Sequence, residues 1–104
     1  MDHYRVVVSK AAENDMFDIV HYIASQFSAP ITALNMMDLL EEAITSLSRT
    51  PQRIPLVRDD EFAQMGYRHL GVKNYFVFFS IDEKNKVVFV ERILYARRDW
   101  TRIL

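Results

Sequence analysis

The chain contains no cysteine, two glycines and three prolines. Without cysteine there is no disulfide scaffold, no thiolate metal site and no cysteine nucleophile, and such a composition suits a reducing compartment. Gly66 and Gly71 are too few to build a glycine-rich phosphate cradle. The longest apolar run, Tyr75-Phe76-Val77-Phe78-Phe79, is far too short to span a bilayer, and Met1-Asp2-His3-Tyr4-Arg5 lacks the apolar stretch of a secretory signal. The expectation is a soluble, cytoplasmic protein with no membrane partner. His3, His21 and His69 fall in three separate segments with no His-x-x-x-His pair, so no metal site is expected. There is no Gly-x-Ser-x-Gly and no pair of catalytic carboxylates, and neither a cofactor nor a small-molecule substrate is expected.

What the chain does have is ordinary globular composition, with 104 residues, 50% of them apolar and 26% charged. That length predicts one domain over 1–104. The net charge of −1 is unevenly distributed. Residues 1–64 carry 5 basic and 10 acidic side chains, whereas residues 65–104 carry 8 basic and 4 acidic ones. A positive half on a nearly neutral protein can recruit a polyanion or an acidic protein segment.

The β-branched run Tyr4–Val8 predicts a strand, and Ser9 predicts a helix N-cap. Apolar residues then recur at Ala12, Met16, Ile19, Val20, Ile23 and Phe27, one face of a helix. Asp18 and His21 read as a pair on that helix's surface. Ser28-Ala29-Pro30 starts a second helix carrying the stripe Ala33, Met37, Leu40, Ile44 and Leu47, broadened by Leu34, Met36 and Ala43, and Thr50-Pro51 ends it. So short a connection predicts an antiparallel helical hairpin. Residues 51–65, with the acidic run Asp59-Asp60-Glu61, read as solvated loop with a short extended piece at Leu56-Val57. From Gly66 the period changes to two, predicting strands over Tyr67–Val72, Tyr75–Ile81 and Val87–Leu94, with a turn at Asp82-Glu83-Lys84-Asn85. The fold class expected is α+β, in the order β-α-α-β-β-β, with a helical hairpin on one face of a mainly antiparallel sheet. The last two strands are apolar on both faces. Either the tail 97–104 folds back over the second face, or another molecule covers it.

The residues left to carry chemistry are arginines and aromatics: Arg68 on the first strand of the C-terminal sheet, Arg92 on the last, and Tyr95-Ala96-Arg97-Arg98-Asp99-Trp100 after it. Guanidinium groups are permanently charged planar forks suited to phosphate or carboxylate, and Tyr or Trp can stack on a base. The structural alternative pairs Arg92 with Asp99 or Glu91 and uses Trp100 to seal the core. Arg97 and Arg98 lie beyond the strand and are expected to be free.

These segments, in this order, resemble the RelE/ParE toxins of type II toxin–antitoxin modules, the plasmid stabilisation type. The resemblance is carried by Val7-Val8-Ser9-Lys10-Ala11-Ala12 with Asp15, Ile19 and Tyr22-Ile23. It continues in Tyr67-Arg68 with Val72, in Asn74–Phe79, and in Val88-Phe89-Val90-Glu91-Arg92-Ile93-Leu94-Tyr95-Ala96-Arg97-Arg98-Asp99. It implies a small bacterial growth inhibitor neutralised by a cognate antitoxin, whose tail would cover the bare apolar face and meet the basic half. Arg68, Lys73, Arg92, Arg97, Arg98 and Trp100 are then the expected antitoxin-binding or target-binding residues.

Two targets are implied by the resemblance. ParE-like members act on DNA gyrase and need no hydrolytic site. RelE-like members cleave mRNA on the ribosome, for which Arg68, Arg97 and Arg98 would stabilise charge and Tyr95 or His69 would carry the proton. The sequence departs from the nuclease pattern. Arg68-His69-Leu70 stands where paired lysines are usual, Phe76 stands where an arginine is usual, and the ending closes on Asp99-Trp100. The expectation therefore favours the ParE-like target. The alternatives are an mRNA endoribonuclease and a catalytically degenerate antitoxin-binding protein.

Overall fold

The computed structural model describes residues 3–104. Strand β1 (Arg5–Val8) leads into helices α1 (Lys10–Gln26) and α2 (Pro30–Ser46). A short helix α3 (Asp60–Gln64) precedes β2 (Arg68–Val72), β3 (Tyr75–Asp82) and β4 (Val87–Tyr95). Single turns of 3-10 helix occupy Pro51–Arg53 and Trp100–Arg102. The strands form one sheet in the order β1-β4-β3-β2, antiparallel except for the parallel β1–β4 pair. This is the expected α+β arrangement.

Local chemistry explains the boundaries. The Ser9 hydroxyl accepts the Ala12 N–H at 2.9 Å and donates to the Glu91 carbonyl at 2.7 Å. One side chain thus caps α1 and ties its start to β4. Ser28 adopts a left-handed φ of 47° between the helices, and Pro30 occupies the first turn of α2, where its missing N–H costs nothing. Asp18 and His21 are both exposed on α1, and among the described residues they share no hydrogen bond or ion pair.

The helical hairpin covers one face of the sheet. Ala12, Leu40, Ile44 and Leu47 meet Val77, Phe79, Val88, Val90 and Ile93, all buried. Each large side chain buried here contributes about 1.5–3 kcal/mol. A β-bulge sets which residues reach this face. Phe79 pairs with Val90 and Phe78 with Arg92, which leaves Glu91 as the extra residue. Strict alternation from Val90 would have turned Arg92 toward the helices. The inserted residue brings Ile93 there instead.

The second sheet face corrects an expectation from the sequence: it is not bare. Val57, Phe78 and Leu94 are buried on it beneath Phe62 and Ala63 of α3 and Trp100, Ile103 and Leu104 of the tail. The tail folds back, as one of the two alternatives had it. Helix α3 replaces part of the loop expected over residues 51–65, and its signal lies in the acidic run itself. The Asp59 carboxylate accepts the Phe62 N–H at 3.1 Å, and Asp60 and Glu61 fill the first turn. Gly66, at φ 85°, then turns the chain into β2.

Arg92 supplies a second correction. Its partner is neither Asp99 nor Glu91 but Asp15 of α1, with Nε at 2.7 Å and Nη2 at 2.9 Å. The same carboxylate accepts the Ile93 N–H at 2.9 Å. β1 pairs with β4 only as far as Val90, so the β4 edge beyond it would otherwise present unpaired groups. Asp15 closes that edge by accepting the Ile93 N–H, and two further charge-assisted bonds to the Arg92 side chain hold the carboxylate in place. The Asp15 hydrogen bond raises the Arg92 pKa further above its ordinary value. Asp99 pairs with Arg102 on the surface, at 3.1 Å.

Candidate functional site

The expected site residues separate into two groups. At one end of the sheet, β2 and β3 are joined by Lys73 and Asn74, with Lys73 in a left-handed conformation at φ 54°. The Ala96 N–H donates to the Asn74 carbonyl at 2.8 Å, which brings the end of β4 beside that turn. The Arg98 N–H then reaches back to the Tyr95 carbonyl at 3.0 Å, so Tyr95, Arg97 and Arg98 share one tight turn. Lys73, Arg97 and Arg98 are exposed, and among the described residues neither arginine side chain makes a hydrogen bond or ion pair.

This corner faces the tip of the helical hairpin. Between them runs a groove of about 810 Å³, walled by Tyr22, Phe27, Met36, Tyr75, Tyr95 and Arg98. Tyr75 and Tyr95 stack edge to face at 5.8 Å. Burial, with Tyr22 and Tyr95 close by, pushes the Tyr75 phenol above its ordinary pKa, so it remains a neutral hydrogen-bonding group. Beside the groove the hairpin tip exposes Phe27 (65%), Ile31 (74%) and Leu34 (62%). Side chains of that size rarely stand together in water without a partner. The groove therefore offers an apolar wall, phenolic hydroxyls and one unpaired guanidinium.

The remaining expected residues are committed elsewhere. Arg68 donates to the backbone carbonyl of Ile54, and at 3.4 Å to that of Gln52, which fastens the segment after α2 to β2. Arg92 belongs to Asp15. His69 lies on the tail side of the sheet, its ring 4.0 Å from Phe76, and Trp100 packs 5.0 Å from Phe78. Tyr95 and Arg98 are thus brought together, while Arg68 and His69 do not join them.

The hairpin's share of the groove departs from the sequence expectation: Phe27, expected in the buried stripe of α1, and Leu34, expected in the broadened stripe of α2, are both exposed. The signal was local: Phe27 and Ile31 flank Ser28-Ala29-Pro30, where the chain reverses and apolar residues on both sides overhang the packed stripe.

Residues 6–100 match the family described as the ParE toxin of the type II toxin–antitoxin system parDE. The chain belongs to the ParE toxin family. Two solved structures share its fold. One is a chromosomal ParDE toxin–antitoxin system from P. aeruginosa, at 17% identity and a TM-score of 0.72, covering 91% of this chain and 98% of that one. The other is the RelBE2 toxin–antitoxin complex from Mycobacterium tuberculosis, at 21% identity and a TM-score of 0.64, covering 91% of this chain and 93% of that one. No curated protein matches the sequence.

In this ParE-family chain the matched segment contains every residue of the groove. It ends at Trp100, just after the two unpaired arginines. Among the described residues there is no cluster of three or more metal-ligating side chains and no helix long and apolar enough to cross a membrane.

Proposed function

We propose that this type II toxin acts on DNA gyrase, and that its cognate antitoxin restrains it by seating an amphipathic, acidic segment in the groove beside Arg98. The observation that carries this is the division of the basic residues. Arg97 and Arg98 project unpaired at the groove end. Arg68 is spent on backbone carbonyls and Arg92 on Asp15. A cleavage site for RNA needs charge stabilisation and a proton carrier within reach of one phosphate. Here His69 sits in the aromatic layer across the sheet. A surface that binds and blocks a macromolecular target has no such requirement. The groove suits an acidic antitoxin segment, since a carboxylate can engage Arg98 while apolar side chains cover Phe27, Tyr22 and Met36.

One observation favours mRNA cleavage as the second reading: the Tyr95 phenol and the Arg98 guanidinium share the groove. The test is expression of the chain from a tight promoter, with and without a co-expressed candidate antitoxin. Plasmid supercoiling and mRNA 5′ ends are followed together. Loss of supercoiling with intact transcripts, reversed by the partner, is the expected outcome. New 5′ ends with normal supercoiling would move the assignment to the nuclease reading. Unimpaired growth would leave a degenerate antitoxin-binding protein.

A further inference from the structure

The tail-side face of the sheet carries a feature that the toxin reading does not use. The His69 ring lies 4.0 Å from Phe76, 5.6 Å from Phe78 and 6.4 Å from Trp100. Its Nδ1 is buried, with no hydrogen-bond partner among the described residues. The segment that covers it is Trp100–Leu104. The backbone bonds of Trp100, Arg102, Ile103 and Leu104 are all local, running to Arg98, Asp99 and Trp100, and none reaches the sheet. Its hold on the sheet is packing of Trp100, Ile103 and Leu104 over Phe78 and its neighbours.

We propose that Trp100–Leu104 is an acid-sensitive strap, a detachable cover whose docking on the sheet requires an uncharged imidazole at His69. A neutral ring tolerates a buried nitrogen with no partner at modest cost. Protonation turns both ring nitrogens into charged donors, and the buried one then faces aromatic carbon. The groups packed around His69 do not offset this. β3 contributes Phe76 and Phe78, and the strap contributes Trp100, while Asp99 just before it is engaged by Arg102 and Thr101. On β4, Glu91 is half-buried, and burial raises its own pKa, which disfavours its charged form. On α3, Asp60 and Glu61 are exposed and the facing side chains are Phe62 and Ala63. The charge that does act on His69 is Arg58, of the same sign as an imidazolium.

Burial, and after it Arg58, hold the imidazole below its ordinary pKa of 6.5. The sign follows. The undocked imidazole takes up a proton before the docked one, so docking is at full strength above 6.5 and weakens as pH falls below that value. Arg97 and Arg98 lie between β4 and the strap, so its docking also fixes where they are presented. The strap itself is independent of which target the toxin has, and its test needs only the purified chain.

Trp100 is the only tryptophan, so intrinsic emission reports the strap directly. As pH is lowered from roughly 7 to 5, the wild-type emission is expected to shift red and acrylamide quenching to rise, with the far-UV circular dichroism unchanged. His69→Phe, which keeps the aromatic shape without the titration, is expected to hold both signals constant. Identical responses in the two proteins, or an unmoved wild-type emission, would overturn the proposal. Should His69→Phe fail to fold, Trp100→Ala gives the reciprocal test. The His69 imidazole titration, followed by proton NMR in the full chain, is expected to move up toward 6.5. An unchanged midpoint would overturn the strap.

Discussion

On the hairpin side of the sheet, eleven of the described residues are buried in one cluster between the strands and two 17-residue helices. On the tail side, three buried residues lie beneath a five-residue helix and a single 3-10 turn. The strands between them are apolar on both faces, so the sheet makes equal demands on its two covers. The covers differ in how they are anchored. The hairpin side is fixed by Ser9, by Asp15 and by interdigitated side chains from Ala12 to Leu47. The tail side is fixed by aromatic packing and a strap whose own hydrogen bonds are local. Elements of the second kind open at lower free energy than the global fold. The free arginines sit at the joint between the two regimes, where β4 ends and the strap begins.

The comparison can be broken by substitution, and the largest effect is expected in the hairpin core. Leu40 is fully buried. Leu40→Ala should cost about 2–5 kcal/mol in denaturant unfolding and lower the midpoint for helix and sheet together. A loss confined to one probe would separate the hairpin from the sheet and contradict a shared core.

Asp15→Asn comes next. It leaves Arg92 uncompensated and weakens the bond to the Ile93 N–H, with an expected loss of about 2–3 kcal/mol by thermal or denaturant unfolding. The double variant Asp15→Asn with Arg92→Met should recover part of that loss. A single variant as stable as wild type would show that the β4 edge needs no closure.

A smaller effect is expected on the tail side. Trp100 is half-buried, and Trp100→Ala should cost about 1–2 kcal/mol, less than a fully buried aromatic. Faster hydrogen exchange should be confined to the amides of Ile103, Leu104 and α3, while those of α2 keep their protection. Equal acceleration in α2 would mean that both covers belong to one cooperative unit.

The same contrast decides what could be read from the sequence. The hairpin was legible because two 17-residue helices repeat their apolar spacing over several turns, and the strands because the period changes at Gly66. The tail-side cover was not. Five residues of α3 and three of 3-10 helix carry too little periodicity to announce a buried face, although Asp59 marked the cap. The bulge at Glu91 was equally silent, since an inserted residue leaves an apolar strand looking apolar. Asp15 lay within the family resemblance, but the role of closing the β4 edge depends on β1 ending at Val8, a tertiary fact. Of the residues that wall the groove, Tyr95 and Arg98 are among those the sequence singles out, and Arg97 stands beside them. The sequence could not supply Tyr22, Phe27 and Met36, because their contribution exists only once the hairpin tip faces the β2–β3 turn.

The most direct measurement is gyrase supercoiling activity titrated with the purified chain and with Arg97→Ala and Arg98→Ala, alongside a reconstituted translation reaction that reports mRNA cleavage. Because both arginines are exposed and unpaired, the two variants should remain as stable as wild type, within about 0.5 kcal/mol. Wild-type protein is expected to inhibit supercoiling and leave mRNA whole, with inhibition weakened in both variants. Uninhibited gyrase together with mRNA cleavage that requires Arg98 would contradict the account.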